Sequence, residues 1–138
     1  MRNLLIVLPA ALVLAAPAAN SGTTELQLTE EQQSRLDQRL ANRSAGDPVS
    51  CIGHLDQKHM SVISDGVIIF GRSRNSKTIY VNKPYLGCRG AERNTLVTQR
   101  PVTRLCSGEI ATIQDVSIGA SYGSCTFGEF VPYTTDQK

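Results

Sequence analysis

Four cysteines in a chain of 138 residues constrain the fold more than any other feature of this sequence. An even number of cysteines in a small protein is typical of disulfides formed in an oxidising compartment. A structural zinc site is the alternative, but its thiolates usually come in pairs about two to four residues apart. No such pair exists here, so we predict two disulfide bonds. The cysteines are Cys51, Cys88, Cys106 and Cys125.

The pairing of these cysteines is not determined by their spacing. Four cysteines can pair in three ways, and the sequence leaves all three open. We favour Cys51–Cys125 with Cys88–Cys106, because the first bond would tie the start of the predicted core to its end. Such bonds matter in a domain this small, since its core supplies little stabilisation by itself.

The N-terminus has the pattern of a secretory signal peptide. Arg2 supplies a positive charge, and Leu4 to Leu14 is an apolar run interrupted only by Pro9. The run is shorter than the roughly 20 residues that a membrane span needs, and no cysteine follows it for lipid attachment. The small residues Ala16-x-Ala18 fit a cleavage site. We therefore predict cleavage after Ala18 and a periplasmic or secreted protein with no transmembrane segment.

A single helix is predicted before the first cysteine, over residues 29–44. Thr29 and Gln32 form a capping-box pattern at its start. Leu36 and Leu40 lie four residues apart and give only a thin apolar stripe, which predicts a helix packed on the outside of the domain.

After residue 48 the sequence reads as short β-branched runs separated by turn residues. The clearest hairpin is Gly66 to Val81, with a polar tip from Arg72 to Lys77. Ser117 to Gly123 is predicted as a loop and Ser124 to Val131 as the last strand, ended by Pro132. This pattern predicts a mainly β fold, a small antiparallel barrel or sandwich with one N-terminal helix. The predicted segments are a signal peptide (1–18), a flexible leader (19–28), the helix (29–44), the β domain (48–133) and a tail (134–138).

A series of short motifs surrounds the cysteines. They are Pro48-x-x-Cys51-Ile52, Tyr80-Val81-Asn82, Gly87-Cys88-Arg89-Gly90, Leu105-Cys106-Ser107-Gly108-Glu109-Ile110 and Ser124-Cys125-Thr126-Phe127-Gly128-Glu129-Phe130-Val131-Pro132. In this order they resemble a family of small exported proteobacterial proteins, many from sphingomonad-like genomes, classed as a domain of unknown function. The resemblance covers about residues 35–133. It implies export and a cysteine framework, and it brings no catalytic or binding residues; Glu109 stands where the family pattern favours Asp.

Two patterns resemble catalytic motifs. Gly119 to Gly123 has the letters of a G-x-S-x-G nucleophile elbow around Ser121, but that motif needs a strand before it and a helix after it. His54 and His59 flank Asp56, and their spacing of five suits neither one helix face nor one strand face. We interpret these residues as loop residues, and we predict no catalytic residue, metal or cofactor.

The distribution of charge is the most informative functional feature. From Arg72 to Arg104 there are eight basic residues and a single acidic one, Glu92, whereas residues 25–56 hold six carboxylates and three arginines. A basic block of this kind attracts anionic surfaces, although basic residues also protect strand edges from pairing. The residues predicted to contact a partner are Arg72, Arg74 and Lys77.

We therefore predict a non-enzymatic binding or structural module of the bacterial envelope, whose partner is an anionic envelope component or an envelope protein. Nucleic acid is not predicted as a partner, because only Tyr80 and Tyr85 supply aromatic rings within the basic block. Two alternatives stay open. One is an inhibitor of an envelope enzyme that uses the Ser117 to Gly123 loop, and the other is a small hydrolase.

Overall fold

A computed structural model describes residues 27–99 and 103–136. The predicted signal peptide and most of the predicted leader lie outside these ranges, as does Arg100 of the basic block. Within the described ranges no helix has the length and apolar character needed to span a bilayer.

The predicted helix is present as α1 (Glu30–Leu40), with the predicted capping box at its start. The Thr29 side chain accepts a hydrogen bond from the Gln32 N–H, and the Gln32 side chain accepts one from the Thr29 N–H. The helix ends four residues before the predicted boundary, because Asn42 adopts a left-handed conformation (φ 58°) that asparagine tolerates well. The chain then enters a short strand that sequence analysis missed.

The rest of the described chain is built from short antiparallel strands. They are β1 (Arg43–Ala45), β2 (Cys51–Ile52), β3 (His59–Ser64), β4 (Val67–Gly71), β5 (Thr78–Asn82), β6 (Thr95–Val97), β7 (Leu105–Cys106), β8 (Ile110–Asp115), β9 (Ala120–Thr126) and β10 (Phe130–Thr135). A single-turn 3₁₀ helix (His54–Gln57) lies between β2 and β3.

These strands form three sheets. The largest has the order β1-β10-β5-β4-β3, and the smaller ones are β2-β7 and β6-β8-β9. The predicted hairpin is confirmed as β4 and β5, which pair in register from Ile68↔Asn82 to Phe70↔Tyr80. The described strands close into no barrel, and the arrangement is sandwich-like, so the mainly β prediction is confirmed.

The main core lies between the five-stranded sheet and the two smaller sheets. Its centre is formed by the three phenylalanines of the chain, Phe70, Phe127 and Phe130, which are each at most 3 % exposed. Phe70 meets the other two edge-on, with ring centroids 5.8 and 5.7 Å apart. With no tryptophan in the sequence, these rings are the largest side chains of this core.

A second, smaller core lies on the opposite face of the five-stranded sheet, under α1. Ile69, Ile79 and Val81 are buried there, and Leu36 and Leu40 of the helix pack against them. The strands of the hairpin alternate between the two cores, because successive side chains of a strand point to opposite faces of the sheet. Residues of the five-stranded sheet therefore face either the helix or the small sheets.

The cysteines form two disulfides, as predicted, but the pairing that we favoured is wrong. The bonds are Cys51–Cys106 and Cys88–Cys125. Cys51 lies directly opposite Cys106 in the β2–β7 pair, with their Cα atoms 4.0 Å apart. Strand pairing determined which cysteines bond, because it brings together residues that are distant in the chain. The sequence spacing of the cysteines does not reveal this pairing.

The end of the chain also departs from the prediction. The predicted last strand is interrupted after Thr126, and Pro132 lies inside β10 rather than ending it. The Pro132 carbonyl accepts a hydrogen bond from the Gly46 N–H, at 2.8 Å. The main-chain groups of Pro132 therefore face the end of β1 and not β5. The N–H that proline lacks is not needed for the hydrogen bonds between β10 and β5.

Candidate functional site

The loop from Arg72 to Lys77 joins β4 to β5 and is held by short-range hydrogen bonds. The Ser76 side chain accepts a hydrogen bond from the Ser73 N–H at 2.8 Å. From outside the loop, the Arg43 guanidinium donates to the carbonyls of Ser76 and Lys77, at 2.8 and 2.7 Å. Arg43 thus fixes the shape of the loop and brings a further positive charge to it.

Arg72 points away from the other two predicted contact residues. Its Nε donates to Asp56 Oδ1 at 2.9 Å, across an exposed ion pair. Both groups act on Tyr80, whose pKa is raised by burial and by Asp56 and is lowered less by Arg72. Tyr80 packs against the main core. Arg72 therefore lies on the side of the sheet that faces away from α1, and its charge is compensated.

Lys77 lies on the helix side of the sheet. Thr135 of β10 pairs with Arg43 of β1, and its N–H donates to the carbonyl of Lys77, the residue just before β5. The three residues therefore form one row across this edge of the sheet. Opposed residues share a face, and Ile79, two residues after Lys77, is buried under the helix. With neighbouring strands about 4.8 Å apart, the Cα atoms of Arg43 and Lys77 are roughly 10 Å apart.

The last turn of α1 brings Arg39 to the same place. The pKa of the Arg39 guanidinium is lowered by burial first, and then by the positive charges of Arg74 and Arg43. An arginine nevertheless remains protonated at neutral pH. We call Arg39, Arg43, Arg74 and Lys77 together the basic corner.

No ion pair joins the basic corner to a carboxylate within residues 27–99 and 103–136. Both ion pairs found there connect the acidic segment to the basic block instead: Asp56 with Arg72, and Arg35 with Glu92 at 2.8 Å. The first pair neutralises Arg72, and the second occupies the single carboxylate of the basic block. The fold also adds Arg39 and Arg43 from the acidic segment to the basic residues that remain.

Sequence analysis missed Arg39 and Arg43, because they belong to the segment with an acidic balance. Their spacing of four across the end of the predicted helix was a visible signal for a shared location. Positive charge near a helix C-terminus is favourable in itself, and nothing in the sequence ties that end of the helix to the hairpin loop.

The residues that suggested catalysis do not assemble into a site. Ser121 lies inside β9, so the strand, turn and helix of a nucleophile elbow are absent around it. The hydrogen bond of Asp56 goes to Arg72. A groove of about 1570 Å³ runs between α1 and the sheet, and neither His54 nor Ser121 lines it. Among the described residues no group of three or more His, Cys, Asp or Glu is placed to hold a metal ion.

The hairpin of β8 and β9 carries a second notable feature. The loop predicted from Ser117 to Gly123 is shorter in the structure, since β9 begins at Ala120. Its turn exposes Val116 and Ile118, at 71 % and 70 %. The Asp115 carboxylate accepts hydrogen bonds from the N–H and the hydroxyl of Ser117, at 2.9 and 2.5 Å. Both bonds lower the pKa of Asp115, and the bond from the Ser117 side chain has the larger effect.

This depressed pKa gives a testable pH dependence. A carboxylate whose folded pKa lies below its unfolded value stabilises the folded turn above the unfolded value, and the contribution is lost as the pH falls through the folded pKa. We expect the Ser117 amide resonance in NMR spectra to titrate with a midpoint below the usual aspartate value of 3.8. A midpoint above 3.8, or no shift at all, would contradict the Asp115–Ser117 contact. Asp115→Asn is the control that should abolish the titration.

The fold and the basic corner together define a class: a small, mainly β domain with two disulfides and a cationic surface built from a helix end, an edge strand and a hairpin loop. Searches with family models, against curated proteins and against solved structures found no match for this chain.

Proposed function

We propose that this protein is an exported, non-enzymatic binding module of the bacterial envelope that contacts an anionic component through the basic corner. Export is supported by the pattern of the first 18 residues and by the two disulfides. The motif series around the cysteines supports membership of the exported family that it resembles.

The observation that carries the binding proposal is the uncompensated charge of the basic corner. Arg39, Arg43 and Arg74 lie close enough for two of them to lower the pKa of the third. Like charges held together destabilise a fold unless a counter-charge is supplied. No carboxylate forms an ion pair with these residues within the described ranges, so a bound anion is the proposed partner.

Phosphate is the anionic group that suits this surface best. A guanidinium presents a planar set of N–H donors that matches phosphate oxygens, and lysine adds a mobile point charge. The Cα atoms of Arg43 and Lys77 are roughly 10 Å apart. Because the four side chains come from a helix end, an edge strand and a hairpin loop, the basic corner is broader than a site for one phosphate and suits an array of headgroups. The proposed ligand is therefore a surface of phosphate-bearing envelope lipids.

The test is sedimentation of the oxidised mature protein with vesicles. We expect binding to vesicles of phosphatidylglycerol mixed with phosphatidylcholine, no binding to phosphatidylcholine alone, and weakening by salt. Each basic residue near an anionic membrane contributes about 1 kcal/mol, so Arg74→Ser with Lys77→Ser should weaken binding by roughly 30-fold.

The matched control removes the same charge elsewhere. Arg89→Ser with Arg93→Ser changes two exposed basic residues of the loop that follows β5, and it should leave binding within about twofold. Equal losses in both double variants would show that only net charge matters and would overturn the basic corner as the site. Binding that survives the change at Arg74 and Lys77 would do the same.

A second candidate function is inhibition of an envelope enzyme by the β8–β9 turn. The specific observation is the exposure of Val116 and Ile118 on a turn that the Asp115–Ser117 bonds hold in one shape. Rigid loops with exposed apolar side chains lose little entropy on binding. A partner retained by the wild-type protein and by the Arg74/Lys77 variant, but lost with Val116→Ser and Ile118→Ser, would favour this function.

A further inference from the structure

The two disulfides differ sharply in their surroundings. Cys88 and Cys125 are 0 % and 6 % exposed and belong to the main core. Cys51 and Cys106 are only partly buried. A disulfide exchanges only when a thiolate reaches one of its sulfurs, so access separates the two bonds.

The support around the two bonds also differs. The Cys51–Cys106 bond joins β2 to β7. These two strands have two residues each and form a separate two-stranded sheet. Cys125 lies instead in β9, paired with the fully buried Ala111 of β8. Local opening needs little free energy where few backbone bonds and few buried contacts must be broken. The β2–β7 pair has only two residues in each strand and contributes only Ile52 and Leu105 to the main core. Opening it therefore breaks fewer backbone bonds than opening the longer β8–β9 pair around Cys125.

We propose that Cys51–Cys106 is a site of thiol–disulfide exchange with an external dithiol, while Cys88–Cys125 stays closed in the folded protein. A thiolate of the dithiol attacks one sulfur, the Cys51–Cys106 bond breaks, and the departing cysteine takes a proton from water. The second thiolate of the dithiol then attacks the dithiol's own sulfur in the mixed disulfide. The second protein cysteine leaves and takes up a proton. Two electrons pass to the protein, two cysteine thiols form, and the dithiol becomes a disulfide. This inference is independent of the basic corner.

The consequence of exchange is local to the segment around β7. The Ser107 N–H donates to the Ser50 carbonyl at 2.7 Å, and the Gln57 amide donates to the carbonyls of Ile52 and Thr103 at 3.3 and 3.2 Å. These contacts hold β2 and β7 together beside the disulfide. Breaking the covalent link leaves these bonds and the core packing of Ile52 and Leu105 as the restraints, so this segment becomes more mobile while the five-stranded sheet is unchanged.

The test is limited reduction of the oxidised protein with dithiothreitol, followed by alkylation and peptide mapping. We expect Cys51 and Cys106 to be alkylated together, at least about tenfold faster than Cys88 and Cys125. In denaturing urea the difference should vanish, which would show that the fold causes it. Equal rates in the folded protein, faster labelling of Cys88 and Cys125, or a difference that persists in urea would each overturn the proposal.

A second readout follows the local opening directly. Hydrogen exchange of the Ser107 amide should accelerate by about tenfold or more after this reduction, while the amides of Ile69 and Val81 in the five-stranded sheet keep their protection. Loss of protection at all three positions would mean that reduction unfolds the whole domain, and the proposed local exchange site would be wrong.

Discussion

Replacing Gly128 with alanine is expected to destabilise the folded domain by about 3 kcal/mol. A Cβ at this position would overlap the carbonyl oxygen of Lys83. The clashing atom belongs to the backbone, so no side-chain rotation can relieve the overlap. The segment between β9 and β10 would have to move away from the end of β5.

That movement would also break the hydrogen bonds of a buried asparagine. Asn82 is 0 % exposed, and its amide group donates to the Gly128 carbonyl at 2.7 Å and to the Glu129 carbonyl at 3.1 Å. Its Oδ1 accepts from the Gly128 N–H at 3.2 Å. A buried polar group that loses its partner costs about 1–3 kcal/mol. The glycine thus permits the close approach that satisfies Asn82.

The measurement is the free energy of unfolding in urea, with the disulfides intact. Gly53→Ala is the matched control, because Gly53 has an ordinary φ of −75° and a Cβ there meets only Asp56 Oδ2 at 3.7 Å. It should change the free energy of unfolding by less than about 0.5 kcal/mol. A Gly128→Ala protein as stable as Gly53→Ala would show that Lys83 and Gly128 do not approach as described.

Phe130→Ala is expected to have the largest effect of any single change in the core, a loss of about 3–5 kcal/mol. Phe130 is 0 % exposed and packs edge-on against Phe70 and beside Phe127. Truncation removes the apolar contact area of the ring and leaves a cavity. The neighbouring rings belong to strands paired on both sides or to a disulfide-linked segment, so they collapse into the cavity only partly.

Urea unfolding of Phe130→Ala is to be compared with Phe130→Leu and with Tyr122→Ala. The leucine fills most of the ring volume and should recover more than half of the loss. Tyr122 is 56 % exposed in β9, so removing its ring should cost less than about 1 kcal/mol. Equal losses for Phe130→Ala and Tyr122→Ala would mean that the three phenylalanines do not form the centre of the core.

Local features of this fold could be predicted from the sequence because short-range chemistry determines them. The capping box of Thr29 and Gln32 and the β4–β5 hairpin depend on residues a few positions apart. The small sandwich follows from short β-branched runs between turn residues, and the presence of disulfides follows from an even cysteine count in a small chain.

The candidate site shows where such prediction ends. The charge block directed attention to the loop between Arg72 and Lys77, but the residues of this loop divide between two faces of the sheet. Arg72 is neutralised by Asp56, whereas Arg74 and Lys77 form the basic corner together with Arg39 and Arg43. A hairpin loop gives no sign in sequence of which of its side chains turns to which face.

The sequence by itself determined the class of fold, the helix start, the main hairpin and the existence of two disulfides, since each depends on composition or on local pattern. Only the tertiary structure decided the pairing Cys51–Cys106 and Cys88–Cys125, the place of Pro132 inside β10, and the four residues of the basic corner. The physical reason is the same in each case. Antiparallel pairing brings together segments up to about 90 residues apart, such as Arg43 and Thr135, and the register of that pairing is set by how both cores pack at once.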